Sequence, residues 1–464
     1  MKVEKFNFRN FKGVKSTEIE IDVGPPGKVI TLIGLNESGK TTILEAISHF
    51  FMGDPETKSL VETVQSREPV DALVPKSKKG IFNGNIEIAA QVSLDDADID
   101  AVCRGIKYLN YVADKDTFAR TFEIRLKFIF KDGDLHDERT SWGLRFKGSK
   151  KNGTVVRNFD GSGQTRDGWL AALRVLKERA PKIVYFPTFL FTFPDRIYLR
   201  EPESWDENSE QAIINRYYRR VLQDVADSIS EDDPDNRISI DNQVVKRLEN
   251  VKEPTGNPFA FWAYFVSQKE HDKVRAVLNR IAERMGQVVF TAWNKIFDKP
   301  TTGSRVQVDF GVDPDNENAP WVQLSIFDGK STYSLSERSL GFRWFFSFLL
   351  FTQFRKSRSD NLGSIFLFDE PASNLHALAQ MRLMEGFDGI VDDRNYIVYS
   401  THSHYLINPM WLEKAYIIRN LAIDYDADLD VGGASEPETD IEAIGYREFV
   451  NRYPSRFFLF PTRP

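Results

Sequence analysis

Cysteine is almost absent: Cys103 is the only one in 464 residues. A single thiol forms no internal disulfide and supports no cysteine-rich zinc site, so both are excluded and a reducing, cytoplasmic setting is expected. Histidine is scarce too, with six in all. His49, His136 and His271 are scattered, and His404 has no partners at ligand spacing, so no histidine metal site is expected. Long apolar runs are missing as well. The most apolar stretch, 344–351, is less than half of the roughly 20 residues needed to cross a bilayer, which excludes a membrane partner of that kind. Charges interrupt the opening residues at every second or third position, so no signal-peptide core is expected and the chain reads as mature from its first residue. There is no surplus of positive charge either. Against 68 Asp+Glu stand 61 Lys+Arg, a net charge of −7, and any nucleic-acid binding has to come from a local patch. Sustained heptads, internal repeats and Ser/Gly linkers are not found.

What the sequence does have is apolar substance. With 41% hydrophobic and 13% aromatic residues it can bury a core in each of the two to four domains that about 150 residues per domain allows. Residues 2–11 alternate as a strand, and 29–33 read as a buried one after a turn at 24–27. A helix starts within 40–42. From about 54 to 168 the signals are short β runs, notably 85–94 and 121–130, which predict an antiparallel β lobe, and 182–186 is a further strand. The pattern turns helical between about 208 and 297, with Val274, Val277, Leu278, Ile281, Met285 and Val288 on one face. Strands return at 305–310 and 321–327, then an apolar helix from about Ser339, then buried strands at 364–368 and 396–400. The division expected is 1–204, a helical insertion over 205–300, and 301–464. The Phe-rich segments 186–193 and 342–351 read as core.

Residues Gly34 to Thr41, GLNESGKT, satisfy G-x-x-x-x-G-K-S/T between a buried strand and a helix, where the pattern means a phosphate loop. Its backbone N–H groups and the helix N-terminus cradle phosphate, Lys40 reaches the β/γ-phosphates, and the Thr41 hydroxyl is placed on Mg²⁺. The run Ile365 to Glu370 is a four-residue apolar strand ending in two carboxylates. Asp369 is expected to hold Mg²⁺ and Glu370 to orient or deprotonate the attacking water. Taken alone, an acidic strand end is common; beside a phosphate loop it is informative. Two further elements stand at equal distances, 33 residues either side of Asp369: Ser334 to Ser339 opens the apolar helix, and Ser400-Thr401-His402-Ser403 ends a strand.

This order resembles ATP-binding-cassette (ABC) ATPases, specifically the RecF, SMC and OLD branch. The opening Phe6 to Gly13 is similar to that branch's first strand and turn, and Asn36 to Ile47 to its phosphate loop and first helix. The resemblance implies an α/β ABC-ATPase head, a mixed sheet with a phosphate-loop core plus an antiparallel β lobe. It implies ATP contacts from Lys12, Asn36, Gly39, Lys40, Thr41, Thr42, Ser336 and Ser339, metal ligation by Thr41 and Asp369, and catalysis by Glu370 with His402 as the switch histidine. Ser336 belongs by similarity to the signature motif, which contacts the γ-phosphate of a nucleotide held by a second copy, and 371–376 resembles the D-loop. Two departures stand out. Glu337 and Arg338 replace the signature's paired glycines, a substitution associated with OLD-like ATPases, and no Q-loop glutamine is placed, Gln91 being a weak candidate.

The helical part, about 90 residues, is too short for SMC arms, and only 62 residues follow His402, too few for the Toprim nuclease that OLD proteins append. The alternating Asp424, Asp426, Asp428 and Asp430 lack the Gly and Glu of a calcium loop and read as a solvated acidic loop. With the closing segment 446–454, the chain is similar to stand-alone ATPase subunits of bacterial anti-phage systems, the PARIS ATPase family ahead of the Septu one. That resemblance implies a homo-oligomeric scaffold built on a head-to-tail, ATP-sandwiched dimer. It also implies a separate Toprim-type nuclease as partner, and a viral trigger protein such as an acidic DNA mimic. The rival reading is a RecF-like DNA-repair ATPase that clamps duplex DNA, supported by a basic segment, Arg145, Lys147, Lys150, Lys151, Arg157 and Arg166, and a smaller one at Lys76, Lys78 and Lys79. A solvated lobe would account for both segments equally well.

Overall fold

Strands that are apolar without interruption build the centre of the fold. Val29–Ile33, Ser364–Phe368 and Tyr396–Thr401 are buried at every residue, as expected of parallel strands covered on both faces. The computed structural model describes residues 1–21, 28–50, 70–75, 78–151, 153, 155–186, 193–206, 209–232, 235, 237–250, 260–297, 303–357, 363–371, 373, 375–392, 394–421 and 440–452. Their contacts divide the chain into two interleaved units, one of 1–187, 361–371 and 391–464, the other of 188–360 and 372–390.

In the first unit a six-stranded sheet runs in the order Lys182–Phe186, Ser364–Phe368, Tyr396–Thr401, Val29–Ile33, Tyr416–Asn420, Ile441–Gly445. The first five are parallel and the last is antiparallel to its neighbour. A second, antiparallel sheet takes the order Val14–Glu20, Lys2–Phe11, Gly84–Ser93, Thr121–Lys131, Asp134–Trp142. It is the expected β lobe, and its fourth strand alternates buried and half-buried residues with the two-residue period of a pleat. One core joins this lobe to the helix Lys40–His49, with Phe6 edge-on to Phe50 at 5.5 Å. Mixed central sheet, phosphate-loop helix and antiparallel lobe together are the α/β layout of an ABC-ATPase head.

The β-lobe region also holds two helices that the short β runs did not predict, Asp96–Lys107 and Arg166–Glu178. The first starts on a reciprocal capping box between Asp95 and Asp98 and buries Ile99, Val102 and Ile106 at helical spacing. Asp98 is fully buried, between the Met1 ammonium and the Arg179 guanidinium, whose Nε lies 2.7 Å away. Burial alone would push its carboxyl up. Those cations and the surrounding hydrogen bonds outweigh burial and hold it below the ordinary range.

The second unit is largely helical, as the periodicity between 208 and 297 predicts: Glu210–Asp232 and Ala260–Phe297 are its long helices. Val274, Leu278, Ile281 and Met285 are buried, whereas Val277 and Val288 lie at the edge of the buried face, which continues instead through Val289. The helix Leu340–Ser357 is apolar all round and correspondingly buried, with Phe345, Phe346, Phe348 and Phe351 at 1% exposure or less. Strands Arg305–Asp313 and Ala319–Phe327 pair as an antiparallel ribbon. The acidic run 424–430, the turn 24–27 and most of 186–193 lie outside the described residues.

Candidate nucleotide site

Three neighbouring parallel strands end at the same edge of the central sheet. Val29–Ile33 runs into the loop 34–39 and the helix Lys40–His49, Ser364–Phe368 runs into Asp369-Glu370, and Tyr396–Thr401, which lies between them, runs into His402. Burial on both faces locks each strand's register, so motif residues far apart in sequence converge at the carboxyl edge, where open α/β sheets place ligands.

The loop is shaped by glycine where it must be. A Cβ on Gly34 would lie 2.4 Å from Ser38 Oγ and 2.6 Å from the Ile418 carbonyl oxygen. Gly39 has φ 101° in the left-handed region, and a Cβ there would lie 2.5 Å from Ile441 Cδ1. The helix that follows has no acidic side chain of its own in its first turn, so none of its own residues opposes the positive end.

Lys40 is only 4% exposed, and its ammonium donates to the carbonyls of Gly34 (2.9 Å) and Leu35 (2.8 Å). It also lies 3.3 Å from Glu370 Oε1. The same oxygen meets His402 Nδ1 at 3.0 Å, while Glu370 is a quarter exposed and His402 is 42% exposed. Glu370 has φ 46°, a left-handed backbone that a non-glycine residue holds only where its surroundings impose it. Thr41 Oγ1 lies 3.0 Å from each oxygen of Asp369. Burial pushes the Asp369 carboxyl above its usual range, against the opposing pull of hydroxyls donated by Ser400 and Thr41.

Around these groups opens a cleft of about 570 Å³, lined among others by Lys12, Asn36, Lys40, Thr41, Thr42 and Glu370. Lys12 also has a left-handed backbone (φ 48°), its N–H donates to the Leu73 carbonyl at 2.7 Å, and its ammonium pairs with Glu45 at 2.7 Å. Ser336 and Ser339 belong to the second unit. Ser336 sits in the short turn Leu335–Glu337 with its hydroxyl bonded to Ser334, and Ser339 Oγ accepts the Phe342 N–H at the start of the apolar helix. Gln91 is not at the cleft: it sits within a lobe strand and donates to Glu4 at 2.9 Å.

One residue of the site has no role in the sequence reading. Ser400, fully buried, donates to Asp369 Oδ1 at 2.7 Å and accepts the Glu370 N–H at 2.8 Å, so one hydroxyl ties the two carboxylate residues together. The available signal is a serine two positions before the strand-end histidine, but nothing in a single sequence says which way it faces.

The basic segment is exposed throughout, on and beside the small sheet Tyr111–Asp114, Phe146–Lys150, Arg157–Phe159. It does not form one cationic face. Lys147 and Lys150 differ by three positions on one strand and so point to opposite sides. Lys147 is also in register with Asp114, Arg145 acts on Asp160, and Arg157 donates to Gln164. Of the smaller cluster, Lys79 lines the nucleotide cleft, and Lys76 lies outside the described residues. No described helix is long and apolar enough to cross a membrane.

Among solved structures the chain is similar to the Smc head domain with an extended coiled coil bound to the C-terminal domain of ScpA, from Pyrococcus furiosus. The identity is 12%, over 97% of this chain and 98% of that one, with a TM-score of 0.43. It is also similar to an SmcHead bound to the C-winged helix domain of ScpA, with 12% identity over 97% and 100% of the two chains and a TM-score of 0.42. No curated protein sequence matches it significantly. The profile of the AAA ATPase domain matches residues 1–407, a span that takes in the phosphate loop, both carboxylates and His402, and the chain belongs to the AAA ATPase domain family.

Proposed function

We propose that the chain binds ATP in this cleft and hydrolyses it to ADP and phosphate. The observation that carries this reading is the meeting of Lys40, Thr41, Asp369 and Glu370 within hydrogen-bonding or ion-pairing distance at one sheet edge. The Lys40 ammonium donates to the loop's own carbonyls; phosphate oxygens would take their place and gain a desolvated positive charge. Asn36, Gly39 and Thr42 line the loop's path around those oxygens, and Lys12 stands at the cleft's wall.

Mg²⁺ fits the donor set: a hydroxyl and a buried carboxylate converge, all hard oxygens. Thr41 and Asp369 would hold it, and its contribution is neutralisation of phosphate charge. Glu370 accepts the proton of the attacking water as the water oxygen bonds to the γ-phosphorus and the bond to the β-phosphate oxygen breaks. His402, at 3.0 Å, keeps the Glu370 carboxylate aimed. Along the chain we divide this ABC-type head into an N-terminal half (1–204), a helical insertion (205–300) and a C-terminal half (301–464).

Ser336 acts on the nucleotide of a second copy in a head-to-tail pair, on the resemblance to SMC, RecF and OLD ATPases. By the same resemblance the assembly is the sensor of an anti-phage system of the PARIS kind, answering a viral trigger and controlling a separate Toprim-type nuclease. The scattered basic segment favours this over a RecF-like clamp on duplex DNA, which needs a continuous cationic face. Two measurements test the reading. The chain expressed with a neighbouring nuclease gene should co-purify with its product, and alone with Mg²⁺ or Mn²⁺ and ATP it should leave duplex DNA, single strands and RNA intact. Nanomolar, ATP-gated duplex binding in a salt series would overturn the sensor reading in favour of the clamp.

A further inference from the structure

The signature turn departs from its relatives at Glu337 and Arg338, and the structure gives the two substitutions different work. Glu337 is spent locally. Its carboxylate accepts the Ser334 N–H at 2.8 Å and closes a reciprocal capping box, so a side chain supplies the rigidity of the turn. Arg338 is not spent. Its guanidinium carbon lies over two aromatic rings, 5.4 Å from the centre of Tyr333 and 4.9 Å from that of Phe342. Among the described residues no carboxylate stands within ion-pairing distance of it. Arg338 acts on Asp328, whose carboxyl is held low first by the N–H groups of Ser331 and Lys330 and less by Arg338. A guanidinium held over aromatic rings rather than by an ion pair keeps N–H donors for a further acceptor. It is half-buried, two residues beyond Ser336, at the mouth of the helix Leu340–Ser357.

We propose that Arg338 is a catalytic residue that acts in trans, its guanidinium donating to the γ-phosphate oxygens of the ATP held by a second copy of the chain. The inference rests on the two-copy reading of Ser336 and deepens it. Charge in phosphoryl transfer gathers on the phosphoryl oxygens, and a planar fork of N–H donors meets two of them at once, which a glycine pair cannot do. Tyr333 and Phe342 fix the fork before the second copy arrives, so little side-chain freedom is lost on docking. The capping box in turn replaces the glycines' tight turn, which explains why the two substitutions occur together.

The test is steady-state phosphate release by the full chain, with ATP binding and assembly measured on the same samples. Arg338→Ala should lower turnover on the order of 10³-fold, the scale of an arginine finger, with ATP affinity of the separated copies unchanged within about twofold. Arg338→Met keeps the packed stem and should be as inactive. If Arg338→Met turns over like wild type, the residue only packs, and the proposal is overturned. Position in trans is read by mixing Arg338→Ala with Glu370→Gln in equal amounts. Half the pairs are then mixed and each has one intact site, so activity should return to about one quarter of wild type. A control mixture of Ser336→Arg with Glu370→Gln separates the two layers of the argument. Recovery in the control but not in the Arg338 mixture overturns the role of Arg338 alone, and failure of both in assembled samples overturns the two-copy reading together with it.

Discussion

Replacing Ser400 with alanine removes one oxygen atom from a site that is otherwise untouched, and the structure says what should follow. The hydroxyl is fully buried, donates to Asp369 Oδ1 at 2.7 Å and accepts the Glu370 N–H at 2.8 Å. A hydrogen bond to a charged group contributes about 1.5–3 kcal/mol, and a buried N–H left unpaired costs about 1–3 kcal/mol. The second effect falls where the backbone is least tolerant, because Glu370 holds φ 46° and the bond from its N–H is part of what imposes that angle. The loss should therefore appear in catalysis, where both carboxylates must be aimed, more than in ATP binding, which draws on Lys40 and the loop. If about 1.5–3 kcal/mol of aiming is lost, turnover falls roughly 10- to 100-fold. The measurement is phosphate release at saturating ATP across a Mg²⁺ titration, beside binding of a fluorescent ATP analogue. Turnover should fall and half-saturation by Mg²⁺ move upward, with analogue affinity within about twofold of wild type. Ser400→Cys, close in shape but a weak donor, should resemble alanine. Wild-type turnover in both variants would refute the reasoning, and so would loss of analogue binding as deep as that of Lys40→Ala.

Other substitutions probe the remaining parts. Lys40→Ala should lose ATP binding by equilibrium titration, because it removes the buried cation that meets phosphate. Glu370→Gln should retain binding and lose turnover by about 10²-fold or more, since it acts only on the water. Gly39→Ala meets both a left-handed backbone and the Ile441 side chain. It should abolish analogue binding, and Ile441→Ala in the same chain should not restore it, because it makes space without relieving φ. Asp98→Asn uncouples a buried carboxylate from two cations and should destabilise the chain by about 3–5 kcal/mol in urea unfolding. The Asp98 carboxyl is held below its ordinary value near 3.8, so its stabilisation is present above that value and is lost as pH falls through the lower folded-state value. Asp98→Asn should flatten that part of the acid-unfolding profile.

Much of this protein is legible in its residue order, and for a physical reason. A strand buried on both faces has to be apolar throughout, so 29–33, 364–368 and 396–400 stand out from any partner, and a phosphate loop or an acidic pair at such a strand's end is local chemistry that needs no neighbour to be identified. The helical face around Ile281 and Met285 is legible likewise, from its spacing alone. The helix Asp96–Lys107 was not, because its four aspartates, counting the capping Asp95, and Gly105 carry the composition of a turn, and its three buried apolar residues are too few to outweigh that. Nor could order along the chain place the strand 396–401 between the other two, and that placement brings Ser400 against both carboxylates. The basic segment shows the converse. Six cations within 22 residues read as a patch, but a pleated strand sends neighbouring positions to opposite faces, and pairing sets Lys147 opposite Asp114. Residue types and their spacing determined which groups are present and which strand end bears each; only strand pairing, which joins positions about 30 residues apart at one strand boundary and more than 300 apart at the next, decided which of those groups meet.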